Sequence, residues 1–192
     1  MAETCVSVAL LYVEHCRIFR SRQESYTISD NLSCLSAYAK KLEKSLRVRQ
    51  ADIADLKKLV PLFDEYRQFY GEQSDRERAE NFLRDRFEQQ QSTIFLAFSE
   101  GEPVGFTQLY PSFSSTRTAR VFILNDLFVV PHARGKGFAK SLLAAACDYG
   151  RTVGAVRLSL STAIDNHVAQ ELYEGAGWIR DKQFHVYAIS LT

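Results

Sequence analysis

The run Arg134-Gly135-Lys136-Gly137-Phe138-Ala139-Lys140 puts two glycines and the cations Arg134 and Lys136 three residues after an apolar stretch, Val121 to Val130. Small residues let a backbone come close to an anion. The first turn of a following helix offers unbonded N–H groups and the positive end of its dipole. A phosphate or pyrophosphate is therefore the expected ligand. Two familiar nucleotide motifs fail here. A P-loop ending at Lys140-Ser141 would need glycine where Arg134 and Ala139 stand. A dinucleotide fingerprint starting at Gly135 would need a small residue where Lys140 stands. Inside the apolar stretch, Asn125 and Asp126 are the only polar interruption. An acid there has either a polar task or a structural hydrogen bond.

The elements that must position these residues follow from periodicity. Leu46 to Arg49 alternates as a strand. Asp52 caps a helix with a stripe of Ile53, Leu56, Val60, Phe63, Tyr66 and Tyr70, which Pro61 should kink or break and Gly71 ends. Ser74 and Glu77 have capping-box spacing and open a second helix with Phe82, Leu83 and Phe87. Thr93 to Phe98 and Val104 to Tyr110 form a hairpin around Ser99 to Glu102, and Pro111 to Thr118 reads as a loop. Val121 to Val130 is a strand, and the Arg134 loop leads from it into a helix through Leu142, Leu143, Ala146 and Tyr149. Val156 to Ser161 is another strand, Val168 to Glu174 a short helix and Phe184 to Leu191 a final strand. A hairpin followed by strand–helix units implies an α/β fold with a mixed sheet flanked by helices.

Bulk properties narrow the function classes. The chain has 192 residues, 46% of them hydrophobic, and a net charge of +1. It can bury a core, and it lacks the basic bias of a nucleic-acid binder. Three of its four cysteines, Cys5, Cys16 and Cys34, precede the regular pattern, and none has Cys-x-x-Cys spacing. Neither a zinc site nor a disulfide framework is indicated, and reduced cysteines suit a cytoplasmic protein. The apolar run Val6 to Val13 is shorter than the ~18–20 residues a membrane span needs. Glu3 before it, with Glu14 and His15 after it, speaks against a secretory signal. The histidines His15, His132, His167 and His185 are scattered, and no metal-ligand spacing emerges. Residues 1–45 form an extension of unassigned role, and residues 46–192 form the patterned domain.

Arg134 to Ala139 after an apolar strand resembles the Arg-x-x-Gly-x-Ala acyl-CoA signature of the GNAT superfamily of N-acetyltransferases. Asn125 to Pro131 resembles its lead-in, and Asp165 to Trp178 resembles its closing motif, both in the expected order. The resemblance covers roughly residues 46–192. It implies a mostly antiparallel central sheet with two strands splayed apart at the site of acetyl-CoA, a co-substrate. Leu127, Phe128 and Val129 would line that cofactor, Leu127 and Val129 through main-chain bonds. Arg134, Gly135, Lys136, Gly137, Phe138, Ala139 and Lys140 would hold its pyrophosphate, and Asn166 would contact it or cap the helix that follows.

Tyr173 matches the family's usual general acid. Acetyl transfer from a thioester to an amine expels a thiolate, which a nearby phenol can protonate. Tyr173 is either that acid or a helix-face aromatic in the core. The base is open. Polyamine-acetyltransferase relatives carry two adjacent acids where this chain has Asn125-Asp126. Neighbours on a strand face opposite sides. If Asp126 faces the substrate it is the best candidate for the base; if Asn125 does, a water chain or another residue serves. Tyr66, Phe69, Tyr70 and Tyr110, with Glu65 or Glu72 nearby, would form an aromatic wall for a cationic amine or else pack the core or a dimer interface. The resemblance implies acetylation of a primary amine on a small molecule. A protein or peptide acceptor and a non-catalytic acyl-CoA sensor are the alternatives. Relatives often dimerise, so a homodimer is the assembly to test.

Overall fold

A computed structural model describes residues 48–191. The extension, the helix read at Ala37 to Lys44 and the start of the first strand at Leu46 lie outside the described residues. Strands β1 (Val48–Gln50), β2 (Thr93–Ser99), β3 (Glu102–Ser114), β4 (Ala119–Val129) and β5 (Arg157–Ser159) form one sheet in sequence order. β1 to β4 are antiparallel neighbours, and β5 joins β4 in parallel. Helices α1 (Leu56–Phe69) and α2 (Arg76–Glu88) precede β2; α3 (Phe138–Thr152) links β4 to β5, and α4 (His167–Gly175) follows β5.

Alternation in the strands sorts the helices into two layers. Phe106 of β3 and Phe128 of β4 pack on Tyr66 of α1. Phe95 of β2 and Phe122 of β4 pack on Tyr149 of α3. The α3 stripe of Phe138, Leu142, Leu143 and Ala146 is buried against that second face.

Local chemistry explains the element starts. Asp52 accepts from the Ala54 amide, and the Asp55 carboxylate answers the Asp52 amide, completing a capping box on a single 3₁₀ turn. α1 then runs unbroken through Pro61. Burial of Leu59, Val60, Leu62 and Phe63 on both sides offsets the ~3 kcal/mol that an interior proline costs. α2 is capped by Asp75, which accepts from the Arg78 amide, and not by Ser74. Ser74 instead donates its hydroxyl to buried Asp64 at 2.6 Å, and the Asp75 amide donates to the same carboxylate at 2.8 Å. Asp64 thus ties α1 to the start of α2.

Two expectations along the chain are corrected. β3 continues to Ser114, through residues of the Ser-, Thr- and Phe-rich stretch Pro111 to Thr118 that reads as a loop. β2 ends opposite Leu109, so Pro111 lies on an open edge where its missing N–H leaves no ladder bond unmade. The segment Phe184 to Leu191 is not a strand in the structure. Its Phe184, Val186, Ile189 and Leu191 are all at least 76% exposed. Alternating apolar residues need a sheet edge to pair with, and β5 offers only three residues.

Candidate active site

β4 is the strand on which the site is assembled. It meets β5 only at Val121, Phe122 and Ile123, and then continues to Val129 without a β5 residue opposite. Because the two strands are parallel, the gap opens at the C-terminal ends of both. The glycine loop leaves β4 at that end, and the segment leading to Asn166 leaves β5 at the same end. A crevice at the carboxyl ends of strands is where α/β sheets commonly take ligands.

The loop has the form of an anion cradle. Gly135 and Gly137 have φ of +73° and +84°, and a Cβ at either would meet nothing within 4 Å. The left-handed conformation favours glycine, and the space above each is open. Gly137 caps α3 with no side-chain hydrogen bond, and the first helical bond inside the turn runs from the Ser141 amide to the Gly137 carbonyl. The amides of that first turn therefore project from the helix end. Phe138 points into the core, 4% exposed, so it can offer a ligand only its main chain. Arg134 Nε donates to the Val129 carbonyl at 2.9 Å, and its guanidinium lies 5.7 Å from the Phe69 ring and 5.9 Å from the Phe128 ring. Arg134 thus fixes the loop to the end of β4. Beside it runs a shallow cleft of about 300 Å³ lined by Glu65, Gln68, Phe69, Phe128, Pro131 and Arg134. Asn166 accepts from the Ala169 amide at 3.2 Å and caps α4.

The Asn125-Asp126 pair is resolved by a β-bulge. Gln108 pairs with Asp126 and Leu109 with Leu124, which leaves Asn125 as the extra residue on β4. The bulge keeps Leu124 and Phe122 on the α3 face and turns Asp126 toward α1, with Phe128. Asp126 is 4% exposed, and Asn125 is exposed. Asn125 Nδ2 donates to Asp126 Oδ1 at 3.1 Å. Burial lifts the Asp126 carboxyl above its usual range, against the opposing pull of hydrogen bonds from Tyr66 and Asn125. A carboxyl so placed is a stronger proton acceptor than a solvated one.

Aromatic residues surround it. The Tyr66 phenol is pushed up by burial and by the neighbouring Asp126 charge. Tyr110 is raised to about 12 by burial and Asp126, against Arg86 and a hydrogen bond from Gln108. Tyr66 meets Tyr70 edge-on at 5.1 Å, and Tyr70 meets Phe69 at 5.3 Å. Tyr173 joins this group from α4: burial raises its phenol, and Tyr70 adds to the effect. Tyr173 also tilts against Trp178 at 6.3 Å. The structure therefore brings Tyr66, Tyr70, Tyr110, Asn125, Asp126 and Tyr173 to one face of the sheet, while Arg134 to Lys140 and Asn166 stand at the open end of β4 and β5. Glu72 pairs with Arg67 at 3.6 Å instead.

Two residues of this face escape a reading by motif. Gln108 is fully buried and donates through Nε2 to Ser92 Oγ at 2.9 Å and to the Tyr110 hydroxyl at 3.0 Å. Arg86 of α2 lies over the Phe82 ring at 4.6 Å. The only signal for Gln108 in the sequence is a polar pair, Thr107-Gln108, inside the otherwise apolar run Val104 to Leu109.

Similarity to known proteins agrees with this arrangement. The sequence model of the Acetyltransferase (GNAT) family matches residues 59–178. A Bacillus subtilis protein, "Uncharacterized N-acetyltransferase YhfO", is 47% identical over 146 residues, covering 76% of this chain and 98% of that protein. A crystal structure of a probable acetyltransferase is 42% identical with a TM-score of 0.73, covering 77% of this chain and 99% of the other. An aminoglycoside N-acetyltransferase, AAC(6')-Iy, solved in complex with CoA, shares the fold at 20% identity and a TM-score of 0.62, over 74% of this chain and 93% of its own. Parted strands above a glycine-capped helix thus coincide with a family match over most of the described domain, and the chain belongs to the GNAT family of acetyltransferases.

Proposed function

We propose that the chain transfers an acetyl group from acetyl-CoA to a primary amine of a small molecule, by direct attack with both substrates bound. The observation that carries this reading is the placement of Asp126 and Tyr173 on one face of a sheet whose β4 and β5 part beside an open, glycine-capped helix end. The residues present fit the cofactor: Gly135 and Gly137 leave space where a Cβ would stand, and the α3 cap is not closed by a side chain. The CoA complex of a protein with the same fold supports the choice of ligand.

When bound, acetyl-CoA supplies an activated acetyl thioester. The main chain of Gly135 to Lys140 would hold its pyrophosphate, with Arg134 and Lys136 adding charge. The main chain of Leu127 and Val129 would line the parted edge of β4, with Phe128 between them and Asn166 opposite. Asp126 takes the proton from the acceptor ammonium, since only the neutral amine attacks. Asn125 orients that carboxyl through its 3.1 Å hydrogen bond. Tyr173 stays protonated, because burial raises its phenol, and it donates to the departing sulfur. Tyr66, Tyr70 and Tyr110 enclose a cationic acceptor with π faces and hydroxyls.

Two measurements test the reading. Acetyl-CoA should raise the melting temperature, and free-thiol release should appear with a panel of small primary amines. Absence of any stabilisation would sink the cofactor assignment. Binding without thiol release for every amine, together with acetylation of a peptide panel, would replace the small-molecule acceptor.

A further inference from the structure

The last residue of α1 and the residue that caps it are both aromatic and both exposed, Phe69 at 58% and Tyr70 at 64%. A single apolar side chain in water needs no explanation, but two adjacent aromatic rings do. Their neighbours hold them in place. Tyr70 meets Tyr66 edge-on at 5.1 Å and Phe69 at 5.3 Å, and Tyr66 meets Phe128 of β4 at 6.2 Å. The rings thus form a continuous wall from β4 out to the surface.

Phe69 and Phe128 are also two sides of the cleft beside the glycine loop, with Pro131 as a third. The cleft holds about 300 Å³. An apolar cavity of ~150 Å³ is enough to take up benzene, so a ring with part of a chain fits. The charged groups of the lining, Glu65 and Arg134, are of opposite sign. Arg134 is already engaged, donating to the Val129 carbonyl at 2.9 Å with its guanidinium 5.7 Å from the Phe69 ring. An uncharged planar group suits this lining best, because it covers the exposed Phe69 ring and meets apolar side chains on three sides.

The place of the cleft along β4 sets its distance from the chemistry. Phe128 lies two residues beyond Asp126 on the same face of the strand, about 7 Å further along at ~3.3 Å per residue. With bonds of about 1.5 Å, an arm of roughly two or three methylenes joins a ring at Phe128 to an amine at Asp126. We propose that the acceptor is an arylalkylamine, its ring in the cleft against Phe69 and its amine carried along β4 to Asp126. This rests on the acetyl-transfer reading above and makes Phe69 a specificity-determining residue.

The test is a matched series. Benzylamine, phenethylamine, 3-phenylpropylamine and 4-phenylbutylamine are each compared by thiol release with the alkylamine of the same arm, from methylamine to butylamine. At the best length, kcat/KM for the ring-bearing amine should exceed that of its partner by at least about tenfold, and the ratio should peak at the second or third pair. Phe69→Ala should bring the ratio close to one, and Phe69→Tyr should keep it. If the alanine variant does not fold, Phe69→Gln should give the same collapse. Contact between the ring protons of the preferred amine and the free enzyme, read by saturation-transfer NMR, should weaken in parallel. Equal turnover of both members at every arm length overturns the proposal while leaving the acetyltransferase reading intact. A ring preference that survives loss of the Phe69 ring overturns it too. So does a fall in acetyl-CoA affinity of Phe69→Ala, by calorimetry, as large as the fall in ring preference, since the cleft would then belong to the cofactor. Absence of thiol release with every amine of both series removes the parent reading and this proposal together.

Discussion

At its C-terminal end β4 runs into a loop whose Arg134, Gly135, Lys136 and Gly137 are all exposed, whereas a few residues upstream the same strand carries Asp126 at 4% exposure. The loop side depends on what is missing: no Cβ at two glycines, no side chain over a helix end. The Asp126 side depends on what is present, a carboxyl lifted by burial and held by Tyr66 and Asn125. The first region can bind an anion by backbone alone. In the proposed reaction the second moves a proton, at a carboxyl whose neighbours keep water away. Substitutions should therefore separate binding from chemistry along a single strand.

The sharpest separation is expected at Asp126. Asp126→Asn should lower kcat/KM by about 10²–10⁴-fold, the range for a positioned general base. Affinity for acetyl-CoA, by calorimetry, should change little; a loss of both would dissolve the contrast between the two regions. The pH dependence has a defined sign. Burial raises the folded-state value of Asp126, so its contribution to stability is full below the ordinary carboxylate range and is lost as pH rises through the raised value. The Asn variant, which never ionises, should melt higher than the wild type above that window, and the advantage should shrink toward acid. The rate limb attributable to the base should disappear in the same variant.

Tyr173→Phe should reduce kcat by about 10²-fold and leave acetyl-CoA affinity nearly intact. Unchanged turnover would make Tyr173 a packing residue against Trp178. Gly137→Val tests the other region. A β-branched residue at φ +84° is strained by about 1–3 kcal/mol, and its side chain would occupy the cradle. Acetyl-CoA affinity should fall by roughly 10- to 100-fold, read by calorimetry, while kcat at saturating cofactor falls much less. A fall in kcat as large as the fall in affinity would mean that loop and proton-transfer face are not separable.

The two regions also differ in how far they could be read from residue order. The loop is local: Arg134 to Ala139 are contiguous, and their types alone predict an anion as ligand. Asn166 and Tyr173 are candidates only through the resemblance of Asp165 to Trp178 to the family's closing motif, a second local run that spans one short helix and its cap. Asp126 was legible as a candidate, but its direction was not. Which neighbour faces the acceptor depends on the bulge at Asn125, and a bulge is a property of two strands in register, not of either sequence. Gln108 lies further out of reach, since its amide bonds Ser92 as well as Tyr110, and that pairing exists only once the strands are in register. The tail from Phe184 to Leu191 marks the opposite error: a period of two states what a segment could pair as, and not that an edge is free to receive it.

Asn166 lies between these cases, and its expected effect is the smallest. Its Oδ1 accepts from the Ala169 amide at 3.2 Å, so Asn166→Ala should cost about 1 kcal/mol through the cap alone. A shortfall in acetyl-CoA affinity in that variant would be ambiguous, because a frayed α4 also displaces Tyr173. Asn166→Ser separates the two roles. Serine keeps the capping oxygen but is too short to reach a ligand that the amide reaches. Its melting temperature should return close to wild type while acetyl-CoA affinity stays several-fold weak. Recovery of both would assign Asn166 to the helix only, and would confine cofactor recognition to β4 and the glycine loop.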